Sequence, residues 1–308
     1  MNKVCFVVPY FGNFPSTFNY WLNCCKRNPD FTWLIYTDVV KEYDYPKNVK
    51  VIHISFEQLK KNIENKLGFK TGLNYPYKLC DFRPLYGDLF REDLEGYTHF
   101  GWCDLDIIFG RLNNFLTPTL LNKYDKISIF GHMSILKNTP SICKLYKKTD
   151  FKKILISTKT KAFDEKSQSP NINELMESNG YKVLPRFNFC DIASDMYNFH
   201  CYTYQGGRKA VLEKYSPTIF LYDSGNLYRY SLNNREIVKK EIAYVHFQKR
   251  RIEVSSQYTD KFALVPNKII SFPPEVNNKF ILKNSKNNYI YNVFHVFKHV
   301  IRYIHTYF

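Results

Sequence analysis

The sequence has no Cys-x-x-Cys pair, no Gly-x-Gly-x-x-Gly run, no Gly-x-x-x-x-Gly-Lys-Ser/Thr loop and no uncharged apolar stretch of membrane-spanning length. Each absence removes a class. Without cysteine pairs at ligand spacing, the eight cysteines, several of them in apolar runs, read as reduced buried thiols in a cytosolic protein, not as a zinc site or disulfide framework. Without glycine-rich phosphate loops, the common dinucleotide and nucleoside-triphosphate cradles are excluded. No serine or cysteine stands in a nucleophile elbow. The opening "MNKVCFVVPYFG" is broken by Pro9 and Gly12 too soon for a signal peptide. Acidic residues stop at Glu275, while Lys279, Lys283, Lys286, Lys298 and Arg302 follow.

What is present is a chain of 308 residues, 44% apolar and 18% aromatic, with a formal net charge of +16. That length allows one large domain with an appendage. The positive charge attracts polyanions: nucleic acid, an anionic membrane surface or phosphorylated small molecules. Basic residues interleaved with aromatics in an RNA-binding module are missing, so nucleic acid is not expected as a partner.

The first hundred residues alternate. "KVCFVVPYFG", "FTWLIYTD" and "VKVIHIS" read as buried strands, and "STFNYWLNCCKRNP" and "SFEQLKKNIENKLG" as helices. Ser16 or Thr17 caps the first helix, and Ser55 and Gly68 bound the second. This order predicts an α/β fold: a mixed, mostly parallel sheet flanked by helices. "THFGWCDLDIIFG" reads as one further strand, with an acidic pair near its C-terminal end, where α/β sheets bind ligands. The second half holds "KISIFG", "HMSILKN", "YKVLPRFNF", "HCYTY", "TIFLYDSG", "NLYRYSL" and "EIAYVHFQ" as strands, with helices in "TPSICKLYKK" and "NINELMESNG". The expected organisation is one domain over 1–275, with halves 1–112 and 113–275, and a tail over 276–308.

Asp104 and Asp106 sit among Trp102, Leu105, Ile107 and Ile108, where an ionised carboxylate is costly unless paired. At i and i+2 of a regular strand they face the same side. Close carboxylates share a proton or a cation. Carboxylate oxygens suit Mg²⁺ or Mn²⁺, whose shells commonly take phosphate oxygens. The plainer alternative is that one aspartate caps a turn and the other pairs with Arg111 or Arg83.

"GWCDLDIIFG" resembles the metal-binding segment of GT-A fold glycosyltransferases, and "YPYKLCDFRPLYGDLF", "VVPYFGNFPSTFNYWLNCCKRNPDFTWLIYTD", "GHMSILKNTP", "AFDE" and "YVHFQKR" are similar to a bacterial group found in capsule and lipopolysaccharide gene clusters. The resemblance spans most of 3–251. It implies a GT-A (Rossmann-like) fold, a Mn²⁺ or Mg²⁺ ion on Asp104 and Asp106, and a nucleotide-sugar donor, a UDP-sugar first among them. Pro9, Tyr10 and Phe11 then line the base and ribose pocket, and Asp38 reads the nucleoside. Lys78, Asp81 and Arg83 meet the diphosphate or base, Asp81 and Arg83 having a local ion pair as alternative. His246 completes the metal shell and Lys249 holds the departing diphosphate. Asp164 and Glu165 are candidate bases for the acceptor hydroxyl, with Asp191 and Asp195 behind them. His132 contacts donor or acceptor sugar. The implied activity is sugar transfer to a glycan or lipid-linked acceptor in surface-polysaccharide synthesis.

"NNYIYNVFHVFKHVIRYIHTYF" places His295, Lys298, His299, Arg302 and His305 on one stripe of a helix, opposite aromatic and aliphatic residues. Such a helix suits an anionic membrane surface, which places the protein at the cytoplasmic face of the cell membrane. The same helix docks equally on the core or on a second subunit. Two other functions stay open: a basic nucleic-acid-binding protein, and a sugar nucleotidyltransferase, which would want a glycine-rich basic loop where "PYFGNFP" stands.

Overall fold

The computed structural model describes residues 2–165, 169–205, 209–254 and 259–288. Its strands are β1 (Val4–Pro9), β2 (Phe31–Thr37), β3 (Val49–His53), β4 (His99–Cys103), β5 (Ile107–Phe109), β6 (Lys126–Phe130), β7 (Met133–Lys137), β8 (Val183–Leu184), β9 (Cys190–Ile192), β10 (Cys201–Gln205), β11 (Lys209–Leu212), β12 (Thr218–Asp223), β13 (Asn226–Asn233), β14 (Glu236–Glu241), β15 (Tyr244–His246), β16 (Lys261–Val265) and β17 (Lys268–Ser271). The α-helices are α1 (Phe18–Lys26), α2 (Phe56–Leu67), α3 (Tyr86–Leu89), α4 (Pro118–Lys123), α5 (Pro140–Cys143), α6 (Phe151–Ile156), α7 (Ile172–Ser178) and α8 (Asn278–Asn284).

The fold is mixed α/β, with three sheets where one mostly parallel sheet was expected. The chain divides into two compact units that exchange segments: 1–14, 28–105 and 113–187 form the first, and 15–27, 106–112 and 188–308 the second. The first unit holds a seven-stranded sheet, ordered β3-β2-β1-β4-β7-β6-β8. Its β3, β2, β1 and β4 are mutually parallel, and β7 turns antiparallel to β4 and β6. The second unit holds a mixed sheet, β11-β10-β9-β15-β5, and an antiparallel one, β14-β13-β12-β16-β17. Short strands joined by tight turns, such as β12 to β13, pair with their neighbours directly and need no crossover helix. That chemistry makes most strand pairs of the second half antiparallel, β9–β15 and β6–β8 being parallel.

Local signals set the first unit. Ser55 Oγ accepts the Gln58 N–H at 3.1 Å, and Gly68 closes α2 at φ +76°, a conformation that costs glycine nothing. Leu59 and Ile63 on α2 pack with Val7, Leu34 and Tyr36 in one core cluster. On the other face of β1, Phe6 stacks on Trp33 with ring centroids 5.6 Å apart. Full burial of each such side chain stabilises by about 1.5–3 kcal/mol, so β1 is fixed from both sides. In the second unit, α1 packs its Trp21 near Phe109 of β5. Thr17 occupies the α1 N-cap without a side-chain cap bond, and Ser16 donates to the Ile252 carbonyl at 2.6 Å.

The stretch 99–109 is corrected by the structure. It is two strands: β4 ends at Cys103 and belongs to the first unit's sheet, and β5 begins at Ile107 in the second unit's sheet. Asp104 and Asp106 lie on the bend between them, so the same-face argument from a continuous strand does not apply. All eight cysteines are buried and none is in a disulfide, as expected. Among the described residues no helix is long and apolar enough to cross a membrane. The amphipathic helix expected over 287–308 lies, from residue 289 on, outside the described residues.

Candidate functional site

In the first unit the functional side chains gather on a 3-10 helix, Pro76–Leu85. Proline at its first turn presets φ, and Pro84 near its end has no N–H to continue an α-helix. In a 3-10 helix residues three apart eclipse, which stacks Lys78 on Asp81. Their Nζ and Oδ2 are 2.5 Å apart and both side chains are fully buried. Lys78 also donates to the carbonyls of Ile154 and Lys159, at 3.0 and 2.9 Å. Asp81 in turn accepts the N–H groups of Lys161 and Phe163. The pair is therefore an internal latch on the loop that leads to Asp164. Its ammonium is committed inside the protein.

Arg83 is the cation opposite Asp104. Its Nη2 lies 2.5 Å from Asp104 Oδ1, and its Nη1 donates to Asp164 Oδ2 at 2.9 Å and to the Gly131 carbonyl at 2.7 Å. The Gly131 N–H donates to Glu165 Oε1 at 2.6 Å, and the Asp104 N–H to the His132 carbonyl at 2.9 Å. A Cβ at Gly131 would stand 2.6 Å from Glu165 Oε1 and 2.8 Å from Asp164 Oδ2, so a side chain there would displace both carboxylates. Burial pushes the Asp164 carboxyl up to about 7, against Arg83 and with Glu165. Burial works against the Arg83 charge, but Asp104 and Asp164 hold it well above the usual guanidinium value. A fixed cation beside a carboxyl titrating near neutrality is an arrangement suited to proton transfer.

The remaining first-unit candidates serve the loop after β1 or the core. Asp38 accepts the Gly12 N–H at 2.9 Å and holds that loop to the end of β2. Tyr10 donates its N–H to the Tyr36 carbonyl at 2.8 Å and sets its ring against Phe14. Pro9 is half-buried, and Phe11 is buried against Phe56. The buried His132 ring stacks on Phe130 at 5.4 Å.

In the second unit, Asp106 and His246 face each other. His246 ends β15, which pairs antiparallel with β5 and parallel with β9. Its Nε2 lies 3.5 Å from Asp106 Oδ1, and its Nδ1 2.9 Å from Asp191 Oδ1. Asp191 also accepts Gln248 Nε2 at 2.8 Å and the Tyr204 hydroxyl at 2.5 Å. Asp106 accepts the Lys249 N–H on Oδ2 at 2.5 Å, and its carbonyl accepts the Phe247 N–H at 2.9 Å. Gln248 and Lys249 both adopt positive φ, +49° and +63°. Left-handed backbone costs a non-glycine residue about 1–2 kcal/mol, and here it delivers one N–H and one side-chain amide to the two aspartates. Burial alone would lower the His246 pKa, but Asp106 and Asp191 carry it well above 6.5. Burial would raise the Asp106 carboxyl, but His246 and the Lys249 N–H bring it down to about 2.

Each aspartate of the motif thus has a protein cation of its own, Arg83 for Asp104 and the His246 imidazolium for Asp106. The Lys249 side chain is exposed. Arg250, beside it, is buried, and its guanidinium donates to the carbonyls of Ala193, Met196 and Tyr197. Asp191 was legible only as one more candidate base. The signal that singles it out is the one used for Asp104, a lone carboxylate inside an apolar run, here Cys190–Ile192.

The chain matches, over residues 6–273, a family of unknown function, DUF6625, and belongs to it. No curated protein matches the chain.

Proposed function

We propose that the chain is a metal-dependent glycosyltransferase of GT-A type that transfers a sugar from a nucleotide-sugar to a glycan or lipid-linked acceptor. The observation that carries this reading is the setting of His246. A carboxylate on Nδ1 fixes the ring so that Nε2 is the atom presented to Asp106, the way metal-ligating histidines are commonly held. At 3.5 Å the Nε2–Asp106 separation is too long for a good hydrogen bond, and both atoms are good ligands for Mn²⁺ or Mg²⁺. Within the second unit the donor pair Asp106 and His246 fits such an ion. The ion, when bound, neutralises charge developing on the departing diphosphate.

The chain's own residues do the rest. His246 must give up its Nε2 proton to act as a ligand, so proton and metal compete and metal affinity rises with pH. Asp191 keeps the ring in place throughout. In the first unit, Asp164, poised near neutrality, accepts the proton of the acceptor hydroxyl, and Arg83 stabilises the carboxylate before and after. Asp38 and the loop after β1 lie at the C-terminal ends of parallel strands, a usual place for a nucleotide.

A thermal-shift screen tests the reading. UDP-, GDP-, CMP- and dTDP-sugars are added with and without Mn²⁺. One nucleotide class should raise the melting temperature only with metal, corresponding to about 2.7 kcal/mol at a hundredfold excess over Kd. No shift with any class, or equal shifts without metal, contradicts the proposal.

A further inference from the structure

We infer that the first unit carries a lysine-rich face that docks on an anionic lipid bilayer, independently of the tail and of the glycosyltransferase reading. Two segments build it. Residues 60–70, the second half of α2 and its exit, hold four lysines and one glutamate. Residues 144–153, which run into α6, hold five lysines and one aspartate.

Glu64 pairs with Lys70, Glu92 with Lys66 and Asp88 with Lys147, against nine lysines in the two segments. Glu64 is buried and accepts Lys70 Nζ and the Thr71 N–H, and Asp150 caps α6 by accepting the Lys153 N–H. The lysine side chains point out: Lys61, Lys66, Lys70, Lys147, Lys152 and Lys153 are all exposed.

The two segments are neighbours in space. Lys152 Nζ lies 5.4 Å from the centre of the Phe69 ring, and that ring is 6.2 Å from Phe151. The Gly72 N–H donates to the Leu155 carbonyl at 2.8 Å. A Cβ on Gly72 would meet the Ser157 carbonyl at 2.3 Å, so the chain after α2 is pressed onto the end of α6. A cleft of about 310 Å³ is lined by Lys66, Leu67, Lys147 and Phe151 together with Asp88 and Glu92. Nearer the start of α2, a second cleft of about 590 Å³ is lined by Lys60, Lys61 and Lys70 together with Glu57 and Glu64.

The composition of the face selects a bilayer over a nucleic acid. Its charge comes from lysines, strongly hydrated point charges on flexible stems, without the planar guanidinium forks that read phosphates and base edges. At the end of α6, Ile156 is 53% exposed. An aliphatic side chain standing out of a lysine field suits the headgroup–acyl boundary. Basic clusters of this size bind anionic headgroups through summed, short-range electrostatic attraction.

Vesicle sedimentation tests the assignment with the full chain. Vesicles of pure phosphatidylcholine are compared with vesicles containing about one third phosphatidylglycerol. The variant K61E/K147E/K152E/K153E is set against K47E/K209E/K214E/K240E, which changes net charge equally at exposed sites outside the two segments. Wild type and the control variant should bind the anionic vesicles and release them in high salt. The first variant should bind about tenfold or more weakly, with an unchanged melting temperature. If it fails to fold, glutamine replaces glutamate at the same four positions. Equal binding by both variants overturns the inference, as does a loss confined to a polyuridine RNA probe with vesicle binding intact. Both outcomes are independent of any metal or nucleotide response.

Discussion

Burial decides the chemistry of single residues in this chain more than residue type does. Lys126 shows it most plainly. It is fully buried on β6, donates to the Ser128 carbonyl and, at 2.9 Å, to Ser134 Oγ, and faces the Trp102 ring at 5.5 Å. Burial lowers its pKa to about 7, only partly opposed by Asp164 and Glu165. Between about pH 7 and the unfolded value of 10.5 the unfolded chain holds a proton that the folded chain lacks. Stability contributed by this group therefore rises with pH across that window, by up to about 1.4 kcal/mol per pH unit, and is lost as pH falls to 7. Lys126→Met, similar in length and uncharged, should be more stable than wild type at pH 7 and should remove this slope. Urea unfolding at pH 7 and pH 9.5 measures both. An unchanged slope would place the ammonium in water. Nothing in "DKISIF" marks Lys126 as an inward lysine, because strand alternation permits a lysine on either face. Likewise Lys78 and Lys249 look alike in sequence, yet one is sealed inside and the other lies in solvent.

At the scale of elements, helix ends were legible and strand ends were not. Ser55 and Gly68 bound α2 in sequence and in structure because a cap and a left-handed stop are local chemistry. The break between β4 and β5 was not legible because apolar residues continue on both sides of Asp104–Asp106. Hydrophobic periodicity reports burial without saying in which sheet. The threefold repeat of the 3-10 helix at Pro76–Leu85 is what sets Lys78 on Asp81. That latch carries a prediction. Asp81→Asn leaves the Lys78 ammonium buried beside a neutral amide and should cost about 3–5 kcal/mol. Hydrogen exchange at Lys161 and Phe163, whose N–H groups Asp81 accepts, should speed up before that of the β1 amides. Equal acceleration everywhere would mean that the pair supports the unit as a whole and does not hold this loop.

At the scale of the whole molecule, composition pointed to an α/β protein of strong positive charge, and the α/β class holds. The parallel β3-β2-β1-β4 arrangement was readable from the alternation of strands and helices. The division into three sheets was not, because β15 pairs antiparallel with β5 and parallel with β9, both far from it in sequence. The motif at Asp104–Asp106 falls where the chain leaves one unit for the other, and each aspartate is met by residues distant in sequence: Arg83 for Asp104, and His246 for Asp106. A single sequence shows the acids and conceals their partners. The central claim is that Asp106 and His246 form part of a divalent-cation site that anchors a nucleotide. Titration of free Mn²⁺ by electron paramagnetic resonance, with and without the nucleotide found by thermal shift, tests it most directly. Wild type should take up one Mn²⁺ per chain, more tightly with nucleotide and at pH 8 than at pH 6, and Asp106→Asn, which melts lower because His246 loses a carboxylate partner, should still fold and lose about tenfold or more in affinity. Uptake by Asp106→Asn equal to that of wild type, or no uptake by either protein, would contradict the account.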